Sequence, residues 1–215
     1  SIESHGSADP TFDGVIKEGM KPNPRTTYGL SKLRAEKALL EVENLPLLIM
    51  RPTAVFGPGE RDLFMVFELI KKYRFAPISG SSKIKYSFIY VKDLARVMLD
   101  ATLSIEVNKS YFVSDGRLYS IKQFTGGIAK AFKVKTFGFT IPFAALSAAV
   151  TFTGIWDRIT GNKSLLNKEQ LAKMKALNWD VDISPLVQDF KFQPNYNMDK
   201  ATAETAAWYQ DQGWL

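Results

Sequence analysis

Tyr28 and Lys32 stand four residues apart in the run Tyr28-Gly29-Leu30-Ser31-Lys32. On a helix that spacing puts both side chains on one face, one turn apart, so the ammonium can sit beside the phenol oxygen. A neighbouring cation favours phenolate and draws the phenol down from its ordinary pKa of about 10 toward working pH. Tyr28 is thereby a candidate general acid/base. Taken alone, the same spacing also describes an ordinary pair on a helix surface.

Composition closes several other chemistries. The 215 residues include no cysteine, so there is no thiolate nucleophile, Cys-ligated zinc, iron–sulfur cluster or disulfide. His5 is the one histidine, which rules out a His-rich metal site, and no metal is expected. Lys and Arg number 28 against 22 Asp and Glu, a net charge of +6, with the basic excess lying before residue 176. It is spread as single residues and one short run, Lys71-Lys72-Tyr73-Arg74, where cations against a helix C-terminus are the simple reading. No dense basic stripe interleaved with aromatics appears, so nucleic acid is not expected as a partner.

The elements that must carry Tyr28 and Lys32 are legible in outline. A helix is predicted from about Thr26 to Val42, with Leu30, Leu33, Ala38 and Leu39 as its apolar face. Leu45 to Met50 is an apolar run ended by Arg51-Pro52, the pattern of a parallel strand buried on both faces. A turn at Gly57-Pro58-Gly59 leads to a helix from about Leu63 to Tyr73, and Ile84 to Val91 alternates as a strand. Asp93 opens a further helix to Leu103, as a cap or first-turn anion. A short strand at Tyr111 to Val113, a helix over Ile121 to Phe132 and a strand over Val134 to Phe139 follow. Strand and helix in alternation predict an α/β fold with a parallel sheet.

Thr136 to Trp156 carries no charge and is long enough to span a bilayer, but Gly138, Pro142 and Gly154 interrupt it. It reads better as a strand followed by a substrate-facing helix opened at Pro142, and a membrane is not expected as a partner. From Leu165 the chain reads as helices and loops, ending in Met198 to Tyr209. Ser1 to Gly6 lacks a basic stretch followed by an apolar core, so no signal peptide is read and a cytoplasmic location is expected.

Four segments taken in order resemble the extended short-chain dehydrogenases/reductases, the family of NAD(P)-dependent epimerases, dehydratases and hydroxysteroid dehydrogenases. They are Ser1-Ile2-Glu3-Ser4-His5-Gly6 with Tyr28 to Lys32; Arg51-Pro52-Thr53-Ala54-Val55-Phe56-Gly57-Pro58; Ser87-Phe88-Ile89-Tyr90-Val91-Lys92-Asp93-Leu94-Ala95; and Phe192-Gln193-Pro194 through Trp208-Tyr209. The resemblance implies a Rossmann-like parallel sheet over residues 1–135, interleaved with substrate-domain segments. Residues 136–215 would then be a smaller, mostly helical substrate-binding region.

The resemblance also implies roles. Ser1, Tyr28 and Lys32 would form the catalytic set: Tyr28 exchanges a proton with the substrate oxygen, Ser1 hydrogen-bonds that oxygen, and Lys32 tunes Tyr28 and holds the nicotinamide ribose. The cofactor would be NAD or NADP, contacted by Tyr28, Lys32 and the backbone from Pro52 to Val55. His5 and Phe56 are candidates to face substrate, His5 being otherwise a solvated loop residue. Glu60-Arg61-Asp62 reads as a solvated loop that in this fold can border the pocket. The tryptophans read as core or interface. A homodimer is compatible with the family.

Nucleotide-sugar members commonly carry asparagine where this chain has Ala54 and arginine where it has Tyr86, both for phosphate. Neither residue here can replace such a clamp. Ser1-Ile2-Glu3 and Ala35-Glu36-Lys37-Ala38 are closer to the 3β-hydroxysteroid dehydrogenase and dihydroflavonol reductase branches. The reading is an oxidoreductase interconverting a secondary alcohol and a ketone on an uncharged or lipophilic small molecule. A nucleotide-sugar epimerase or dehydratase and a non-catalytic nucleotide-binding scaffold are the alternatives.

The family's Gly-x-x-Gly-x-x-Gly turn is missing, and neither Gly57-Pro58-Gly59 nor Gly161-Asn162-Lys163-Ser164 replaces it. The expectation is that these residues are the C-terminal two-thirds of a longer enzyme and, expressed alone, bind NAD(P) poorly.

Overall fold

A computed structural model describes residues 1–6, 14–24, 26–76, 78–79, 84–104, 107–138, 140–141 and 179–215. Their order is a 3-10 turn (Ile2–Ser4), α1 (Thr27–Leu40), β1 (Leu48–Pro52), β2 (Ala54–Phe56), α2 (Phe64–Tyr73), β3 (Ile78–Ser79), β4 (Tyr86–Tyr90), α3 (Val91–Thr102), β5 (Lys109–Val113), β6 (Leu118–Tyr119), α4 (Ile121–Ala131), β7 (Thr140–Ile141), α5 (Ser184–Phe190) and α6 (Met198–Asp211).

The extended run from Leu48 to Phe56 changes partner half-way. β1 pairs in parallel with β5, Leu48 opposite Lys109 and Pro52 opposite Val113, whereas β2 pairs in parallel with β4, Ala54 opposite Phe88. Thr53 makes the crossing, its amide and hydroxyl both donating to the Val113 carbonyl at 3.0 and 3.3 Å. The amide of Asp115, just past β5, closes on the Phe88 carbonyl at 2.9 Å, so the ends of both ladders are tied together. β6 extends β4 antiparallel, and β3 pairs in parallel with β7.

Alternation along β4 sends side chains into two cores. Phe88 and Tyr90 join Phe56, Phe67, Phe124 and Tyr209 under α2, α4 and α6. Ile89 joins Val97, Tyr111, Val113, Leu186 and Phe192 beneath α3 and α5. The first core is held by ring contacts, Phe88 stacking on Phe124 at 4.9 Å and Phe56 meeting Phe88, Tyr90 and Phe124 edge-on at 5.7 Å. α4 begins with a full capping box, Ser120 and Gln123 each satisfying the other's backbone amide.

Two expectations are corrected. The apolar residues of α1 are not its buried face: Leu30 and Leu39 are 39% and 45% exposed, and Gly29 and Glu36 are buried instead. The reason is what lies beneath α1, a backbone turn that admits only a glycine and an arginine that needs a carboxylate. Likewise β1 is not an apolar strand buried on both faces. Its one fully buried residue is Arg51, and the others are partly exposed. Of the strand expected over Val134 to Phe139, the described residues show one bridge, Phe137 to Phe75, and the strand itself, β7, comes just after it at Thr140–Ile141. The helix expected from Pro142, the segment Gly161 to Ser164 and the start of the helical stretch from Leu165 lie outside the described residues, while its end is borne out by α5 and by α6, which covers the expected Met198 to Tyr209. No helix among the described residues is long and apolar enough to cross a membrane.

Candidate active site

Thr26 caps α1. Its hydroxyl accepts from the Gly29 amide at 2.9 Å and donates to the Glu3 carboxylate at 2.8 Å. One side chain thus starts the helix and ties it to the 3-10 turn. Gly29 allows the contact to be close: a Cβ built there would lie 2.3 Å from the Glu3 carbonyl oxygen. The turn that carries Ser1 therefore rests on the first turn of the helix that carries Tyr28 and Lys32.

Tyr28 is 46% exposed, and the Lys32 ammonium sits 5.3 Å from the centre of its ring, over the face. Ser1 opens the 3-10 turn, its hydroxyl accepting from the Glu3 amide at 3.4 Å and its carbonyl accepting from the Ser4 amide at 3.1 Å. Pro52 and Val55 are partly exposed on either side of buried Thr53, where the strand changes partner.

His5 and Phe56 lie elsewhere than at a solvated surface. His5 is 4% exposed, packed edge-on against Phe112 at 5.2 Å, and neither ring nitrogen makes a hydrogen bond. Burial and the nearby Arg51 hold its pKa below the ordinary value. The solvated reading of His5 is thus corrected: the left-handed Gly6 (φ +61) turns the chain so that the His5 carbonyl accepts from the Asn23 amide at 2.7 Å while the ring goes inward. Phe56, 3% exposed, has its ring enclosed by the first core. Glu60 closes the loop before α2, accepting from the Leu63 amide at 2.7 Å, while Arg61 lies over the Trp214 ring at 5.7 Å.

Sequence reasoning passed over an ionic cluster directly behind the site. Arg51 is held between Glu36 on α1 and Glu18 in the loop before it, with Nη2 to Glu36 Oε2 at 2.9 Å. Glu18 in turn accepts from Ser110 on β5 at 2.7 Å, and Glu36 from Ser4 at 2.7 Å. Burial raises Glu18 above the usual carboxylate range, opposed by Ser110 and Arg51. Burial acts the same way on Glu36, but the hydrogen bonds from Arg51 and Ser4 outweigh it and leave Glu36 below that range. The available signal was Arg51 itself, since a cation in an apolar strand must find a carboxylate. Asp93 was likewise underestimated. It is 1% exposed, and besides standing in the first turn of α3 it accepts from the Asn195 and Tyr196 amides at 3.0 Å, pinning the chain before α6.

The family model for the NAD dependent epimerase/dehydratase family matches residues 4–113, which hold Tyr28, Lys32, β1 to β5 and the ionic cluster. The chain belongs to that family. Among its relatives, the ceramide reductase of Caulobacter vibrioides is 22% identical over 217 residues, covering 100% of this chain and 67% of that protein. The UDP-glucose 4-epimerase of Vibrio cholerae is 29% identical over 146 residues, covering 64% of this chain and 44% of that one. The chain spans about half the length of the curated relatives it matches. Of solved structures, RMD from Pseudomonas aeruginosa complexed with NADPH superposes with a TM-score of 0.72 at 16% identity, over 98% of this chain and 64% of that one. The epimerase/dehydratase family thus shares this α/β, Rossmann-like architecture.

Proposed function

We propose that the protein is an NAD(P)-dependent oxidoreductase that interconverts a secondary alcohol and a ketone, with Tyr28 as general acid/base. The observation that carries this reading is the close seat of the Ser1 turn on the first turn of α1, permitted by Gly29, with Lys32 over Tyr28. Tyr28 would donate its proton to the carbonyl oxygen in reduction and take it from the hydroxyl in oxidation. Lys32, its ammonium over the Tyr28 ring, would hold the ribose, and the Ser1 hydroxyl would hold the substrate oxygen in line.

The exposed phenol and ammonium on α1 suit the hydroxyls of a ribose, and the backbone from Pro52 to Val55 suits a carboxamide. When bound, the nicotinamide supplies or accepts the hydride. The 215 residues hold no glycine-rich turn for a pyrophosphate, so these groups bear on the nicotinamide half alone.

An uncharged or lipophilic substrate is favoured by Ala54 and Tyr86. Ala54 is exposed and offers no donor, and the Tyr86 ring packs toward Phe88 at 6.4 Å, so neither position supplies the cation that a diphosphate requires. The similarity to a ceramide reductase over the whole chain points the same way. The second reading, a nucleotide-sugar epimerase or dehydratase, is favoured by the similarity to a UDP-glucose 4-epimerase.

The test is turnover by the full-length protein, followed through reduced-nicotinamide absorbance and product chromatography, with long-chain ketones, steroid ketones and UDP-sugars side by side. Reduction of a lipophilic ketone supports the proposal. Turnover confined to the UDP-sugars overturns it.

A further inference from the structure

Glu36 is 8% exposed on a helix whose Leu30, Leu39 and Leu40 face solvent. It stands two turns beyond Tyr28 and one beyond Lys32, so the three share one side of α1. A buried carboxylate costs desolvation that an apolar residue would avoid, so its retention asks for a reason beyond packing. Its partners supply one. Oε1 lies 2.7 Å from the Ser4 hydroxyl, and Oε2 takes Arg51 Nε at 3.2 Å and Nη2 at 2.9 Å in a fork. Ser4 is fully buried: its single hydroxyl proton goes to the Glu36 carboxylate, and it is the Ser4 amide that donates to the Ser1 carbonyl, at 3.1 Å. Ser4 is thus the clasp of the turn that presents Ser1, and Glu36 is what holds the clasp.

We propose that Glu36 is a positioning residue for the alcohol–ketone reaction, fixing the Ser1 turn against Tyr28 and Lys32 through Ser4. The proposal rests on the functional reading above. Arg51 has a part as well: engaged by Glu18 on its other side, it anchors the Glu36 carboxylate to β1, the strand that runs on to Pro52. The helix with Tyr28, the turn with Ser1 and the strand leading to the nicotinamide side are thereby referred to one buried point. Without the Glu36 to Ser4 bond the turn keeps its contact at Gly29 and the Thr26 to Glu3 bond, but loses the buried tie at its far end, at Ser4. Displacement of a reacting group by about 1 Å costs up to about 100-fold in rate.

The experiment compares Ser4→Ala, Glu36→Gln and the double variant in the full-length protein. If Glu36 acts through Ser4, each single change lowers kcat about tenfold, the double change lowers it no further, and the nicotinamide KM stays within about twofold, because Tyr28 and Lys32 remain on an intact helix. A purely structural role would leave kcat per folded molecule at the wild-type value. Unchanged kcat, additive losses, or a parallel rise in nicotinamide KM overturns the proposal. Ser4→Ala removes a single oxygen and stands in if Glu36→Gln does not fold.

Amide hydrogen exchange separates this proposal from the functional reading. The Ser4 and His5 amides, bonded to the Ser1 and Ile2 carbonyls, should exchange about tenfold faster in Ser4→Ala while those of α6 are unchanged. If no substrate is turned over by the wild type but this difference is found, the reaction is wrong and the positioning stands. Equal exchange in wild type and variant overturns the positioning whatever the activity.

Discussion

The Glu3 carbonyl oxygen lies 2.3 Å from where a Cβ on Gly29 would stand, and the Glu3 carbonyl carbon 3.1 Å. Both atoms are backbone, so neither can rotate away. In an open helix, glycine to alanine gains up to about 1 kcal/mol. Here Gly29→Ala should instead destabilise the protein by about 1–3 kcal/mol, as overpacking does, and lower activity by moving Ser1 away from Tyr28. Urea denaturation gives the first, and kcat measured well below the transition gives the second. A more stable, fully active alanine variant would show that the turn does not bear on the helix.

Tyr28 and Lys32 should separate in their effects. Tyr28→Phe removes one oxygen and should reduce kcat by roughly 100- to 10,000-fold while nicotinamide affinity, measured by calorimetry, stays nearly unchanged. Lys32→Ala should damage both, because on the proposed reading the ammonium holds the ribose beside the reacting phenol. Equal losses of cofactor affinity in the two variants would contradict these roles.

The pH dependence of stability should carry two opposed contributions from the cluster around Arg51. Glu36 has a folded pKa below the ordinary 4.5, so its contribution is present above that pH and lost as pH falls below it. Glu18 has a folded pKa above 4.5, so its ionised form costs stability near neutrality and the cost is relieved as pH falls toward 4.5. Urea midpoints as a function of pH should therefore fall less steeply on the acid side in Glu36→Gln. In Glu18→Gln the relief above 4.5 should vanish. An acid limb of wild-type steepness in Glu36→Gln would show that the pair with Arg51 is not what holds that carboxylate. Arg51→Ala leaves both carboxylates buried and should cost about 3–5 kcal/mol by the same measurement.

Asp93 accepts from two backbone amides at 3.0 Å and from Arg96 at 3.2 Å. Asp93→Asn turns one acceptor oxygen into a donor that faces those donors. A loss of about 2–3 kcal/mol is expected, with faster proteolysis between Phe192 and Met198. Unchanged proteolysis there would mean that α6 is held by its packing on α4 alone.

How much was legible differs residue by residue. The strand within Ile84 to Val91 was readable because Lys85 and Ser87 alternate with Ile84, Tyr86 and Phe88, after which the run continues apolar through Ile89 and Tyr90, where both faces of β4 are buried. The helix bearing Tyr28 was readable in extent, about Thr26 to Val42 against the observed Thr27–Leu40, but not in orientation. Its leucine stripe has the right period for a core face, and the face actually buried bears Gly29 and Glu36. Hydrophobic periodicity measures where apolar side chains are, and it cannot register a face whose partners are a carbonyl oxygen and a guanidinium.

The sequence by itself determined the chemistry that is open to this protein: a phenol and an ammonium one helical turn apart, no thiol, one imidazole, and the ordered landmarks of the epimerase/dehydratase family. Those are matters of residue type and short spacing, which the chain carries regardless of how it folds. Only the tertiary structure decided that Ser1 meets the Tyr28 helix through Gly29, that His5 is buried and that Phe56 belongs to the core. It alone brought Glu18, Glu36 and Arg51 together across 33 residues of chain, and Asp93 to Asn195 across 102. Each of those is a contact between distant segments whose strength depends on exclusion of water, and desolvation is a property of the packed molecule that no local pattern contains.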